Sequence, residues 1–160
     1  LVTSGMGAHR MNVPKELAEY KLERAEIVVY LPADWNISDH EEKNYWPLRW
    51  LKILARLPLE EDSWLGWGHS VPNGKPFAEN TQLSSVLLIN PENVEEGAAV
   101  CQLPNGEEVN FYQMIPLYEE EVNFKIQNGA ETLLGKMGEI SAVVDIHRLN
   151  VCEGFGRPKE

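Results

Sequence analysis

Cysteine is scarce in this chain, with two residues, Cys101 and Cys152, in 160. Two thiols are too few for a disulfide-stapled scaffold and suit a reducing compartment, so a cytoplasmic setting is expected. Long apolar runs are missing as well. None approaches the roughly 20 residues that a membrane-spanning helix needs. The chain also does not open with the basic and apolar regions of a secretion signal, so no membrane partner is expected. Positive charge is the third shortage: 14 Lys and Arg stand against 25 Asp and Glu, a net charge of −11. Nucleic-acid binding relies on cations that displace counterions from phosphates, and this balance argues against nucleic acid as a partner. Acidity of this kind serves solubility first and attraction to a basic partner second.

The usual catalytic signatures are absent too. There is no G-x-S-x-G, no glycine-rich phosphate loop opening a helix and no H-E-x-x-H. Gly5 and Gly7 beside Ser4 read as a turn. His9, His40, His69 and His147 are scattered, and none stands three or four residues from another metal-ligand candidate on an expected helix. A cluster of His69, Asp145 and His147 formed only in space stays open as the alternative, a small enzyme or metal-binding protein. Cys101 reads as a small buried hydrophobe in a strand. Glu119, Glu120 and Glu121 read as the acidic start of a helix, not as paired catalytic carboxylates. No catalytic residue, metal or cofactor is assigned.

What is present suffices for one domain with a core, since 43% of residues are apolar and a chain of this length buries roughly two-thirds of its surface. Arg24–Leu31 is β-branched and nearly all apolar, as in a central strand buried on both faces. Polar residues 33–45 read as a loop. A helix is expected over Trp46–Leu57, with Pro47 in its first turn and Pro58 ending it. Ser63–His69 reads as a strand bent at Gly66 and Gly68, followed by the Pro72-Asn73-Gly74 turn. Val86–Ile89 is a further buried strand. Asn105-Gly106 joins Ala99–Leu103 to Glu108–Leu117 as a hairpin, whose second arm Pro116 places at or near an edge. A helix from Glu119 ends at Gly129, a short one covers Ala130–Met137, and Ile140–Ile146 is a last strand. Domain 1–150 is followed by a tail, 151–160. The order gives an α+β or mixed α/β arrangement, with helices packed against a largely antiparallel sheet.

Five tryptophans are many for this length. Trp64 and Trp67 lie with His69 in one glycine-containing segment. Trp and Tyr concentrate at the energetic centres of protein interfaces, although packing in a core explains a single Trp equally well.

Several stretches, in order, resemble the suppressor-of-fused family. They are Thr3-Ser4-Gly5-Met6, Met11-Asn12-Val13-Pro14, Arg24–Pro32, Trp46–Leu51 with Ala55–Pro58, and Trp64–His69. Pro72-Asn73-Gly74, Pro76-Phe77, Phe111-Tyr112, Ile115–Glu121 and Val144-Asp145 complete the set, which is nearest to the stand-alone bacterial members. The resemblance implies an α/β sandwich without catalytic activity. It implies a protein partner, held in the animal protein as an added strand. For bacterial relatives it implies an immunity or antitoxin-like role against a toxin. It also implies further residues before Thr3. The start at Leu1-Val2, which reads as the end of a strand, agrees with a missing N-terminal segment. Two departures stand out. The chain matches only the N-terminal lobe of the animal protein, and Gly68 stands where that protein has an acidic residue, so peptide specificity does not carry over. Partner contacts are expected at Trp64, Trp67, His69, Asn80 and Thr81, with Tyr112, Tyr118 and Glu119 as second candidates.

Overall fold

The computed structural model describes residues 1–141 and 143–156, the side chains of 140 and 141 excepted. The elements are β1 (Ala25–Val28), α1 (Glu42–Glu60), β2 (Ser70–Pro72), β3 (Ser85–Ile89), β4 (Val100–Gln102), β5 (Glu108–Leu117), α2 (Glu119–Asn128) and α3 (Ala130–Met137). Strand β5 is the hub. It pairs in parallel with β1 and antiparallel with β3 and β4, while β2 adds antiparallel to the far side of β3. The sheet is therefore mixed and mostly antiparallel, with helices on both faces, and the expected α+β class holds.

The apolar run in β3 follows from its place between two layers. Alternation sends Val86 and Leu88 to one face and Leu87 and Ile89 to the other. The first face packs against Trp46, Trp50, Leu51 and Leu54 of α1, with Ile27, Tyr112 and Met114. The second packs with Ile115 and Leu117 against Ala130, Leu133 and Met137 of α3 and Cys152. Residues 151–156 contain no helix or strand, yet Cys152 is buried and the Phe155 ring meets Phe124 edge-on at 5.1 Å.

Several boundaries differ from expectation, each for a local reason. Helix α1 begins four residues early and continues through Pro47 and Pro58 to Glu60. Proline denies a hydrogen bond to the carbonyl four residues back, but both rings are buried, so packing outweighs the lost bonds. Ser63–Gly68 is not a strand. Gly68 has φ +79°, and a Cβ on Gly66 would come within 2.6 Å of the Trp64 ring, so the segment turns around that ring.

Pro116 lies in the central strand, though at an end that is open on one side. It pairs with Val86, three residues beyond Gln113, where the β1 ladder ends. Its carbonyl accepts from Arg148 instead. The stretch expected as a last strand from Ile140 forms a 3-10 turn over Gly138–Ser141, and among its other described residues Val144 donates to Tyr30 O. Cys101 is exposed, not buried, because β4 is a three-residue outer strand.

Strand β1 is not central either. Its outer edge is met by residues 1–3, through Thr3 N to Ile27 O and Val29 N to Leu1 O, both 2.9 Å. The turn that follows closes around one carboxylate. Glu26 is buried and accepts from the amides of Gly5 and Gly7, each at 2.9 Å, and from the Thr3 hydroxyl. Gly5 sits at φ +108°, and a Cβ on Gly7 would lie 2.9 Å from Val109 Cγ1. The glycines are thus required by conformation and by close approach, as the reading of a turn anticipates.

Candidate partner-binding groove

The start of α2 is built on a buried ion pair. Glu121, three residues into the helix, accepts the Tyr118 backbone N–H at 2.9 Å, half of a capping box. Its side chain is 0% exposed and that of Arg148 is 3% exposed. Arg148 grips the carboxylate with two donors, Nη1 to Oε1 at 2.6 Å and Nη2 to Oε2 at 2.5 Å. The remaining valences are used. Arg148 also donates to Pro116 O (2.9 Å) and Leu149 O (3.0 Å), and Glu121 accepts from Val151 N (3.1 Å). Tyr118 lays its ring 4.9 Å from the Arg148 guanidinium carbon and donates its hydroxyl to Arg148 O at 2.7 Å. Burial pushes the Tyr118 phenol above its usual range, with Arg148 opposing. This network straps residues 148–151 across the junction of β5 and α2.

The strap forms one wall of a cleft of about 730 Å³, within the roughly 300–1,000 Å³ typical of binding clefts. Val122, Asn123 and Ile126 of α2 line it, as do Pro72, Gly74, Lys75 and Pro76, and Glu119, Glu120 and Glu153. Asn150 is held to the Glu120 carboxylate at 3.0 Å, and Leu149, tied in only through its carbonyl, is 83% exposed. Ile126 is 70% exposed. These are the two most exposed large apolar side chains among the described residues, and both line this cleft.

Strand β2 closes the sheet beside the cleft. Leu88 N donates to His69 O and Asn73 N to Ser84 O. Antiparallel alternation therefore turns the main chain of Ser70 and Pro72 outward. Pro72 has no N–H to offer, so this edge is blunted against strand addition.

The sequence-expected contact residues do not form one patch. Tyr118 and Glu119 line the cleft. Trp67 is 40% exposed, in a turn that nears the α2–α3 junction, where a Cβ on Gly68 would lie 3.7 Å from Ala130. Trp64 is half-buried and meets the His69 ring edge-on at 4.3 Å. Asn80 is exposed in a turn. Thr81 is buried, accepting from Leu83 N and donating to Ile146 O, and Tyr112 is buried in the α1-side core. Both support the fold from inside.

No group of three His, Cys, Asp or Glu side chains among the described residues is placed to hold a metal. Asp145 accepts the His147 backbone N–H in a local turn, while His69 packs on Trp64. The described residues also contain no helix long and apolar enough to cross a membrane.

The sequence points to Glu121 only as part of an acidic helix start, not as half of a buried ion pair, and does not single out Ile126, Arg148 or Leu149. Val122 and Ile126 stand four apart on one helix face, and Glu121 occupies the third helical position after Tyr118; both were available signals. Nothing in the local pattern around Arg148 and Leu149 marks them.

Residues 1–149 match the model of the suppressor of fused protein (SUFU) family. The chain belongs to the suppressor-of-fused family. A similar protein, the uncharacterized UU111 of Ureaplasma parvum serovar 3, is 28% identical over 149 residues, 92% of this chain and 71% of that one. Among solved structures, a SUFU homologue from Neisseria gonorrhoeae FA 1090 superposes with a TM-score of 0.61 at 19% identity, covering 94% of this chain and 68% of the other. Sufu in the Sufu–Fu complex gives a TM-score of 0.61 at 15% identity, covering 79% of this chain and 57% of that one. Drosophila Suppressor of Fused gives a TM-score of 0.61 at 16% identity, with coverage of 79% and 31%. The chain thus spans about two-thirds of the Neisseria homologue, little more than half of the chain matched in the Sufu–Fu complex and a third of Drosophila Suppressor of Fused.

Within this family domain His69 makes a pH test. Burial lowers its pKa below 6.5, its hydrogen bond to the Trp64 backbone opposes this, and the Lys125 charge lowers it further. The unfolded chain then binds the proton more readily. Stability is fully present above about pH 6.5 and falls as pH drops through that value. Thermal unfolding should show a smaller drop between about pH 7.5 and 5.5 in His69→Gln than in the wild type. An equal drop in both would remove His69 as the cause.

Proposed function

We propose that the chain is a non-catalytic protein-binding domain that holds its partner in the α2 groove, in the cytoplasm, as a bacterial immunity or antitoxin-like protein that neutralises a toxin by occlusion. The observation that carries the reading is the placing of Ile126 and Leu149, the two most exposed large apolar side chains among the described residues, on one cleft. Exposed apolar surface rimmed by polar groups marks interaction sites. Membership of a family with a member solved as the Sufu–Fu complex adds support.

The test begins with capture from native lysate, identification of the retained protein and its purification. Binding is then measured for wild type, for Ile126→Asp with Leu149→Asp, and for Ile53→Asp, an exposed apolar control on α1. The groove variant should bind at least tenfold more weakly and the control as wild type. Co-expression of the wild type, and not of the groove variant, should relieve growth arrest by the partner. Equal binding by all three, or no stable partner together with turnover of a small molecule, would sink the proposal.

A further inference from the structure

We infer that the occupant of the groove is a basic amphipathic helix. This rests on the reading above and specifies its partner. Three features of the groove select that class.

The first is charge. Glu119 and Glu153 are exposed on the cleft lining. The lining cations are Lys75 and Arg148, and the Arg148 guanidinium is consumed by buried Glu121. The balance presented to a ligand is acidic, within a chain of net charge −11. Lys or Arg on the occupant complements it, and the chain's field speeds the encounter.

The second is the spacing of the apolar anchors. Leu149 adjoins Asn150, which is bonded to Glu120 in the first turn of α2, while Ile126 lies in the last turn. Six residues separate positions 120 and 126, a rise of about 9 Å along the helix. Apolar side chains seven apart on an occupant helix stand about 10 Å apart, enough to reach toward both ends of α2.

The third is the blunted edge. Pro72 and the short outward run of β2 give an extended segment almost no ladder to join. A helix satisfies its own backbone and needs only side-chain contacts, as in helix-in-groove recognition.

The experiment uses three labelled three-heptad peptides: a Lys/Leu amphipathic helix, the same pattern with Glu for Lys, and a Lys/Ser version without apolar residues. Fluorescence anisotropy with the whole chain should give at least tenfold tighter binding of Lys/Leu than of either other peptide. Circular dichroism should show helix gained on binding, and added salt should weaken the complex. Glu119→Lys with Glu153→Lys, and Ile126→Asp with Leu149→Asp, should each weaken it at least tenfold, and Ile53→Asp should not. Equal binding of Lys/Ser would reduce the effect to bulk charge and overturn the inference. Tight Glu/Leu binding abolished by Ile126→Asp and Leu149→Asp would overturn the basic class while leaving the groove as the docking site. Lys/Leu binding indifferent to both groove variants would overturn both.

Discussion

Arg148→Ala is expected to be the most damaging single change outside the apolar core, lowering the unfolding free energy by about 3–5 kcal/mol. The reason is the state it leaves behind. Glu121 is fully buried, so without Arg148 its carboxylate keeps the cost of leaving water and loses both strong donors. Urea unfolding should show a lower midpoint with little change in slope. Melting should fall by roughly 10 °C, since 1 kcal/mol shifts a domain of this size by about 2–4 °C. The companion Glu121→Leu with Arg148→Met, apolar at both positions, should recover much of the loss, because no uncompensated charge remains. A single Arg148→Ala variant as stable as the wild type would show that water reaches Glu121. The consequence extends to the groove. Arg148 ties the strap to Pro116 and α2, so its loss frees Leu149 from its position, and binding in the groove should weaken beyond what the fraction unfolded explains.

Glu26→Ala is expected to cost about 2–5 kcal/mol. The Glu26 carboxylate satisfies the amides of Gly5 and Gly7, and an unsatisfied buried group costs about 1–3 kcal/mol. It also engages the Thr3 hydroxyl, which accepts from Ile27 N at 2.8 Å. Removing the carboxylate should therefore loosen residues 1–8 from β1 as a unit. Hydrogen exchange should quicken at the Gly5, Gly7 and Ile27 amides while β3 remains protected. Thr3→Val, which removes one hydroxyl and leaves the carboxylate, should cost less. Unchanged exchange in Glu26→Ala would mean that the turn is held by packing, not by this carboxylate.

Strand β3 could be read directly because Val86–Ile89 is apolar without a break, and that is what two covered faces require. The Asn105-Gly106 hairpin turn and the end of α2 at Gly129 could be read because glycine takes positive φ there, +84° and +88°. These are local constraints, written in the residues that obey them. The resemblance to the suppressor-of-fused family was legible for a related reason. Its stretches coincide with places of tight geometry, such as the turn around Glu26 and the Trp64–His69 segment folded on a tryptophan ring.

Other readings failed where packing overrode local preference. Pro47 and Pro58 read locally as helix limits, but burial keeps both inside α1. Pro116 reads as close to an edge, and it lies in a central strand at the end that β1 does not reach. Exposure was the least legible property. Five tryptophans point to Trp64 and Trp67, whereas the most exposed large apolar side chains among the described residues are Ile126 and Leu149, ordinary residues in ordinary contexts.

By itself the sequence determined the acidic balance, the strands buried on both faces, most helix ends and the family. Each of these depends on residue type or on neighbours close in the chain. Tertiary structure alone decided the groove. Its walls come from β2, α2 and the strap at 148–151, brought together by an ion pair between residues 27 positions apart. A side chain's exposure depends on what other segments leave uncovered, and no local pattern records that.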